Sequence, residues 1–337
     1  MSQYSAKSKL HSRMSKFGQW TAPEKETRDK IKEQADEIRS RIKAKAEEDG
    51  LTVVKMPYSG SFASKTGLRR HLRGETAIDG QDIDIPFVVK KDKETEFGPL
   101  VDRFKKYADA SYPNTPKEVT KSSVNLSFVG SGLIYDIVPM FATENDDEQV
   151  LIRNTGDVIK TSIEKHREFI KSRTKKTKDT HGVVAFNHMV RFLKWWREYK
   201  QQTTGDRIEL PSFLVNLLAA KALKECGVQT TYPQTLANWF SCLAHIVRGK
   251  ETIWFNDYYT SPQPNASNAW NVLDPVMRDN NIVKSWAGWQ VSELADWLTE
   301  GAEVMNRAIV ADMQERDADS LVHMQSLFGK IFSSHCE

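Results

Sequence analysis

The chain has 337 residues, of which 39% are hydrophobic and 28% charged, with a formal net charge of +3. These values suit a soluble globular protein of two domains or one large one, and the absence of any apolar run near 18 residues excludes a membrane-spanning helix. The small net charge hides an asymmetry: residues 151–200 hold 13 Lys/Arg against 5 Asp/Glu, whereas residues 290–337 hold 3 against 9.

The basic start, "MSQYSAKSKLHSRMSKF", lacks the apolar segment of a secretory signal. Next comes "TAPEKETRDKIKEQADEIRSRIKAKAEEDG", which predicts one long helix. Thr21 and Glu24 have capping-box spacing. Ile31, Ala35, Ile38, Ile42 and Ala46 make an apolar stripe at helical spacing, and Gly50 stops the helix. "LTVVKMPYSGSF" reads as a strand running directly into a Gly-Ser turn, and "DIDIPFVV" as a second strand. "EFGPLVDRFKKYADASY" is helical. "SSVNLSFVGSGLIYDIVPMF" reads as a β-hairpin closed by a tight glycine-containing turn.

From about residue 160 onward the pattern is mostly helical. "HGVVAFNHMVRFLKWWREYK" places Val183, Phe186, Val190 and Leu193 on one face, which leaves Trp195 and Trp196 unable to share a single core face. "PSFLVNLLAAKALKECG" is a helix that begins at Pro211–Ser212 and closes at Gly227. The basic block at 151–200 suits a phosphate-bearing partner as well as it suits a solvated helix face. Trp254, Phe255, Tyr258 and Tyr259 form an aromatic cluster that fits packing or contact with a base. His166, His181 and His188 lack ligand spacing. Cys226, Cys242 and Cys336 match neither a disulfide framework nor a zinc pattern, which points to a reducing, cytoplasmic setting.

The unusual stretch is "DGQDIDIPFVV". Side chains alternate along a strand, so Asp82 and Asp84 share one face and Ile83 and Ile85 the other. Two such carboxylates repel, and in a low-dielectric site one would take up a proton. A divalent cation resolves the conflict; Mg²⁺ prefers oxygen ligands and commonly uses one or two carboxylates plus substrate phosphates. Asp136, mid-strand in "LIYDIVPM", is a third candidate, and three converging carboxylates suffice for two metals and an in-line phosphoryl displacement. Taken alone, Asp-X-Asp also fits a solvent-facing edge strand, and the Gly60–Ser61 pair is a turn whose exposed N–H groups are able to cradle phosphate.

In combination, a strand, Gly-Ser, Asp-X-Asp on the next strand and a later strand Asp resemble the polymerase-beta-like nucleotidyltransferase superfamily. More closely, "SGSFASKTGLR", "DIDIPFVV", "VNLSFVGSGLIYDIVPMF", "VRFLKWW", "PSFLVNLLAAKAL" and "VLDPVMRDNNIVK" resemble, in order, the bacterial cGAS/DncV-like nucleotidyltransferases (CD-NTases), which make cyclic oligonucleotide signals in anti-phage defence. Twenty residues separate Ser61 from Asp82, about twice the superfamily's usual spacing. The extra segment "RRHLRGETAIDGQ" is expected to be a loop over or beside the site. It brings in Asp79 as a competing carboxylate, against which strand alternation favours Asp82 and Asp84.

The resemblance implies an α/β fold: a polymerase-beta-like core with a mixed sheet over residues 1–160, including a bracing N-terminal helix, then a helical OAS-like domain over residues 161–337, with the site in the cleft between them. It gives Asp82, Asp84 and Asp136 to two Mg²⁺ ions, Mn²⁺ being a substitute. It gives Gly60 and Ser61 to the donor triphosphate. Lys194 and Ser212 go to the same phosphates and Phe213 to a base, although Lys194 also fits a solvated lysine, Ser212 a helix N-cap and Phe213 the core. The implied activity is synthesis of cyclic di- or trinucleotides with release of pyrophosphate; an RNA- or protein-modifying nucleotidyltransferase and a catalytically silent adaptor are the rival readings. The implied partners are nucleoside triphosphates, ATP foremost, and a regulatory protein of HORMA type, with nucleic acid not expected as substrate and no membrane. The ending "SSHCE" differs from the small terminal residue of conjugated relatives, so C-terminal conjugation is not expected.

Overall fold

The computed structural model of the chain describes residues 8–335 apart from 74–75, 80–81, 92–99, 154–155, 182–183 and 206. In chain order the elements are α1 (Lys9–Trp20), α2 (Lys25–Glu48), β1 (Val53–Lys55), α3 (Gly60–Ser64), β2 (Arg70–Arg73), β3 (Thr76–Asp79), β4 (Asp82–Val89), α4 (Leu100–Ser111), β5 (Lys117–Val119), β6 (Val124–Phe128), β7 (Leu133–Ala142), β8 (Gln149–Ile152), β9 (Val158–Thr161), α5 (Ile163–His181), α6 (Phe186–Thr204), α7 (Ser212–Cys226), α8 (Tyr232–Arg248), α9 (Gly288–Met313), α10 (Asp317–Phe328) and α11 (Ile331–Ser334). This is the mixed α/β core followed by helices that the residue pattern predicts. The chain forms two compact units: a sheet unit of Pro23–Arg70 and Asp79–Glu168, and a helical unit of the described residues in Met1–Ala22, His71–Ile78 and Phe169–Glu337.

In the sheet unit the strand order is β1-β4-β7-β6-β5, with β8 also on β7 and β9 on β8. Only β4 and β7 run parallel; the other pairs of this sheet are antiparallel. One face packs beneath α2 and α4. The predicted stripe of Ile31, Ala35, Ile38, Ile42 and Ala46 is fully buried there, against Ile83, Ile85, Phe87, Tyr135 and Ile137 from the strands. The opposite side of α2 carries surface ion pairs such as Lys30–Glu26 and Arg41–Glu37, which stabilise little in exposed positions.

Several local readings change. Thr21 does not cap α2: it ends α1, its buried hydroxyl donating to Gly18 O at 3.1 Å, and Glu24 caps α2 without a side-chain hydrogen bond. Pro23, without an N–H, separates the two helices. Helix α1 itself, unread in the sequence, starts at Ser8, whose side chain accepts from His11 N, and buries Leu10, Met14 and Phe17. Gly60 and Ser61 open the short helix α3 instead of following β1 directly. "RRHLRGETAIDGQ" is not a plain loop, because β2 and β3 pair as a separate two-stranded sheet; its two-residue Gly74–Glu75 spacer is a hairpin signal. Asp79 therefore lies on β3, a different strand from Asp82 and Asp84.

Helix α6 is the centre of the helical unit, with α1, α7 and α10 packed around it. It is buried nearly all round, so the one-faced reading of Phe186, Val190 and Leu193 was too narrow; Val183 lies outside the described residues. For the same reason Trp195 and Trp196 are both buried, one donating to Phe328 O at 2.9 Å, the other edge-on to Phe240. His188 is packed beside Tyr232, with Nδ1 2.7 Å from the phenol oxygen. Burial, assisted by the charges of Arg191 and Lys178, pushes its pKa down to about 3 from an ordinary 6.5. The unfolded chain therefore binds a proton below pH 6.5 that the folded chain refuses until about pH 3, so stability falls with falling pH across that window. We expect a contribution of up to about 1.4 kcal/mol per pH unit. Urea unfolding of wild type and His188→Gln between pH 7 and pH 4 checks it: the variant should show the shallower loss.

Candidate active site

Strand β7 alternates strictly between buried and half-buried positions from Leu133 to Pro139. Tyr135 and Ile137 point into the core, which turns Asp136 to the opposite face. In the parallel pairing of β4 with β7, Ile83 stands opposite Tyr135, Asp84 opposite Asp136 and Ile85 opposite Ile137. Register partners in a sheet share a face, and neighbouring strands are about 4.8 Å apart. Asp84 and Asp136 are thus side-by-side carboxylates, both half-buried. The Asp82 backbone pairs with Ile134, two residues before Asp84 and so on the same face; its side chain lies outside the described residues.

Gly60 sits directly on this pair. Its φ is +67°, and a Cβ placed there would stand 1.9 Å from Asp84 Oδ2. Only glycine satisfies both the backbone conformation and that approach. The segment is anchored to α2: the Tyr58 hydroxyl donates to Asp36 at 2.9 Å, Arg39 stacks 4.0 Å over the Tyr58 ring, and Phe62 packs beside it. Ser61 follows as the second residue of α3; its carbonyl accepts from Thr66 N and Gly67 N, and Ser64 Oγ donates to Gly60 O at 2.9 Å.

Asp136 is oriented from β6 and its preceding loop. Asn125, its register partner, donates from Nδ2 to Asp136 Oδ1 at 3.2 Å, and Ser123 Oγ donates to the same oxygen at 3.3 Å. Ser127 Oγ donates to Asn125 Oδ1 at 3.2 Å, holding the amide in place. Sequence reasoning passed over Asn125 and Ser123. The available signal was the alternation in "VNLSF", where Asn125 and Ser127 take the face opposite Val124 and Leu126.

The donor set suits a hard divalent cation: carboxylate oxygens side by side on rigid strands, one of them hydrogen-bonded from behind. Among the described residues no three His, Cys, Asp or Glu side chains gather as ligands.

The remaining candidates lie in the helical unit. Lys194 is not a solvated lysine: it is 2% exposed, on the buried helix α6. Ser212 is the first residue of α7 and not its cap, since Pro211 holds the cap position. Its hydroxyl accepts from Arg197 Nη1 at 3.1 Å, and the same guanidinium group donates to Leu210 O at 2.9 Å. Phe213 is half-buried, one residue further on.

Known proteins resemble the chain along most of its length. The model of the Second Messenger Oligonucleotide or Dinucleotide Synthetase domain matches residues 9–181. A Cyclic AMP-AMP-AMP synthase of Escherichia coli (strain MS 115-1) is 27% identical over 311 residues, 90% of this chain and 91% of the relative. The CBASS oligonucleotide cyclase CdnC of Escherichia coli (strain KTE188) is 28% identical over 268 residues, 77% of this chain and 78% of its own. The solved structure of E. coli MS115-1 CdnC with ATP superposes at a TM-score of 0.77 with 27% identity, covering 96% of this chain and 98% of that one. Vibrio cholerae DncV in its GTP-bound form, at 14% identity and a TM-score of 0.59, covers 98% of this chain and 87% of its own, and shares the fold.

Gly60→Ala tests the close approach. The added methyl must displace the Asp84 carboxylate, so nucleotide consumption should fall about a hundredfold or more while the circular-dichroism spectrum stays that of wild type. Activity within about twofold of wild type would show that Asp84 does not need this contact.

Proposed function

Because the chain belongs to the Second Messenger Oligonucleotide or Dinucleotide Synthetase family, we propose that it joins nucleoside triphosphates into a cyclic oligonucleotide with release of pyrophosphate, in the CBASS setting of its relatives. The observation that supports this most directly is the register of Asp84 with Asp136 and the seat of Gly60 on the Asp84 carboxylate. The relative named for cyclic AMP-AMP-AMP and the ATP complex of CdnC make ATP the proposed substrate and a cyclic trinucleotide the proposed product.

Each step forms one P–O bond, between a ribose hydroxyl and the α-phosphorus, and breaks the α–β bridge, with pyrophosphate leaving. Members of the family use a divalent metal; bound Mg²⁺, or Mn²⁺, would supply charge neutralisation for the phosphoryl transfer. Asp82, Asp84 and Asp136 are the residues that would hold them. Ser123 and Asn125 fix the Asp136 carboxylate by donating to one oxygen, which keeps the other lone pairs directed. Gly60 leaves room for a phosphate to approach the main chain, and Ser61 adds a hydroxyl donor at the start of α3. Lys194 and Ser212 are assigned to the donor triphosphate by the family phrases "RFLKWW" and "PSF", and Phe213 to a base. Arg197, bonded to Ser212, positions that hydroxyl. The protein orients groups and places charge; no covalent enzyme intermediate is needed. A HORMA-type protein is the proposed regulatory partner, since E. coli MS115-1 CdnC was solved in complex with one.

The test is chromatography of products from the four labelled nucleoside triphosphates with Mg²⁺, before and after phosphatase. A phosphatase-resistant product from ATP alone is expected. Asp84→Asn with Asp136→Asn should reduce it by about a hundredfold or more and leave the melting temperature unchanged or raised, because relieving carboxylate repulsion does not destabilise the metal-free fold. Label that appears only on the 3′ end of added RNA would replace this reading with that of an RNA-extending enzyme.

A further inference from the structure

The spacing of the cysteines in the sequence suggests no pair, yet the fold brings two of them together. Cys226 is the last residue of α7, and Cys242 lies within α8. They stand sixteen positions apart in the chain, and their side chains are in hydrogen-bonding contact. Both are half-buried and both are free thiols. Cys336 lies outside the described residues.

The turn between the two helices holds this contact in place. Gly227 leaves α7 at a φ of +64°, in the left-handed region that glycine adopts at little cost. Its carbonyl accepts from Nε1 of the fully buried Trp239 at 2.7 Å. Gln229 N donates to Thr235 Oγ1 at 3.0 Å, and Thr231 caps α8 by accepting from Gln234 N. The connection 227–231 is therefore fastened to α8 along its length. Trp239 and Cys242 are three residues apart on that helix and share a face. The bond from Trp239 to Gly227 thus sets the residue next to Cys226 on the side of α8 that carries Cys242.

The two thiols are not equivalent. Burial first, then the hydrogen bond to Cys226, pushes the Cys242 thiol up to about 12. Cys242 therefore keeps its proton at neutral pH and donates it toward the Cys226 sulfur. The thiolate is the reactive form of a cysteine, so of the two Cys226 is the one placed to react first.

We propose that Cys226 and Cys242 are a redox-responsive modification site, at which a peroxide converts the two thiols to a disulfide that fastens the end of α7 to α8. Cys226 Sγ attacks one peroxide oxygen; the O–O bond breaks, a sulfenic acid forms on Cys226, and the released hydroxide leaves as water with the Cys226 proton. Cys242 Sγ then attacks Cys226 Sγ. The S–O bond breaks, the S–S bond forms, and a second water leaves with the Cys242 proton. The sulfurs together lose two electrons, and the peroxide is reduced to two waters. The bridge closes a short loop and so restricts the unfolded chain far more than the folded one, in which the sulfurs already meet. The site stands independently of the synthase reading.

The test is peptide mapping of the full chain, reduced, treated with hydrogen peroxide and alkylated before digestion. Peptides joined through Cys226 and Cys242, two hydrogen atoms lighter than the free thiols, are expected, and dithiothreitol should return both cysteines. The oxidised protein should run as a single chain on a non-reducing gel and melt about 5 °C or more above the reduced one. Cys336→Ser should leave these results unchanged. Cys242→Ser should lose the rise in melting temperature and let Cys226 gain oxygen as sulfinic acid. The proposal is overturned if wild type gains oxygen at Cys226 or Cys242 without the joined peptides, if Cys336 is the joined partner, if the bridge links two chains, or if the bridged chain melts no higher. None of these outcomes bears on product formation, which decides the synthase reading.

Discussion

The sheet unit depends on one register: Asp84 beside Asp136 on two parallel strands. The carboxylates do not set it themselves, because they repel. It is set from the other face, where Ile83, Ile85, Tyr135 and Ile137 are each at most 1% exposed beneath α2 and α4. A slip of one residue of β4 against β7 would turn Asp84 into the core in place of Ile83 and Ile85. The apolar face therefore holds the charged face in a geometry it would not choose. Parallel pairing adds a constraint of its own, since it makes the two Asp side chains project in the same sense from neighbouring strands.

That arrangement sets like charges side by side, and the chain around them is built to hold it. Ser123 and Asn125 donate to one oxygen of Asp136, and Gly60 removes the side chain that would otherwise crowd Asp84. The first fixes one carboxylate from the side of β6, and the second lets the main chain approach the other. The left-handed backbone at Gly60 costs a glycine little, so this close approach is one that glycine alone supplies cheaply.

Much of this was legible in the residue pattern, because the decisive signals are short-range. Alternation in "DIDIPFVV" and "LIYDIVPMF" separated core from site, the α2 stripe was read to the residue, and Gly50 and Gly227 marked true helix ends. What was missed depends on tertiary context. Helix α1 looked like a basic tail because its Leu10, Met14 and Phe17 stripe is sparse and its partners are remote in sequence. The pair Trp195–Trp196 looked incompatible with one core face because a single face was assumed; a central helix has several. Asn125 was unremarkable as a residue and is informative only once β6 is known to lie against Asp136. The near-complete burial of Lys194 could not be read from a sequence of mixed lysines and tryptophans.

The burial of α6 carries a further consequence for the helical unit. Arg191, Lys194 and Arg197 recur at intervals of three along it, so they lie on one stripe, and all three are at most 6% exposed. Charges that deep persist only with specific partners. Arg191 donates to Gly18 O at 2.8 Å, a carbonyl in the last turn of α1, where a cation also opposes the helix dipole. Arg197 donates to Leu210 O and Ser212 Oγ and so fixes where α7 begins. The outer members of the stripe thus bolt two neighbouring helices to α6, and Lys194 stands between the bolts. The same residues that make α6 costly to bury tie it to its neighbours, so the side chains along this stripe sit on a helix fixed at both ends.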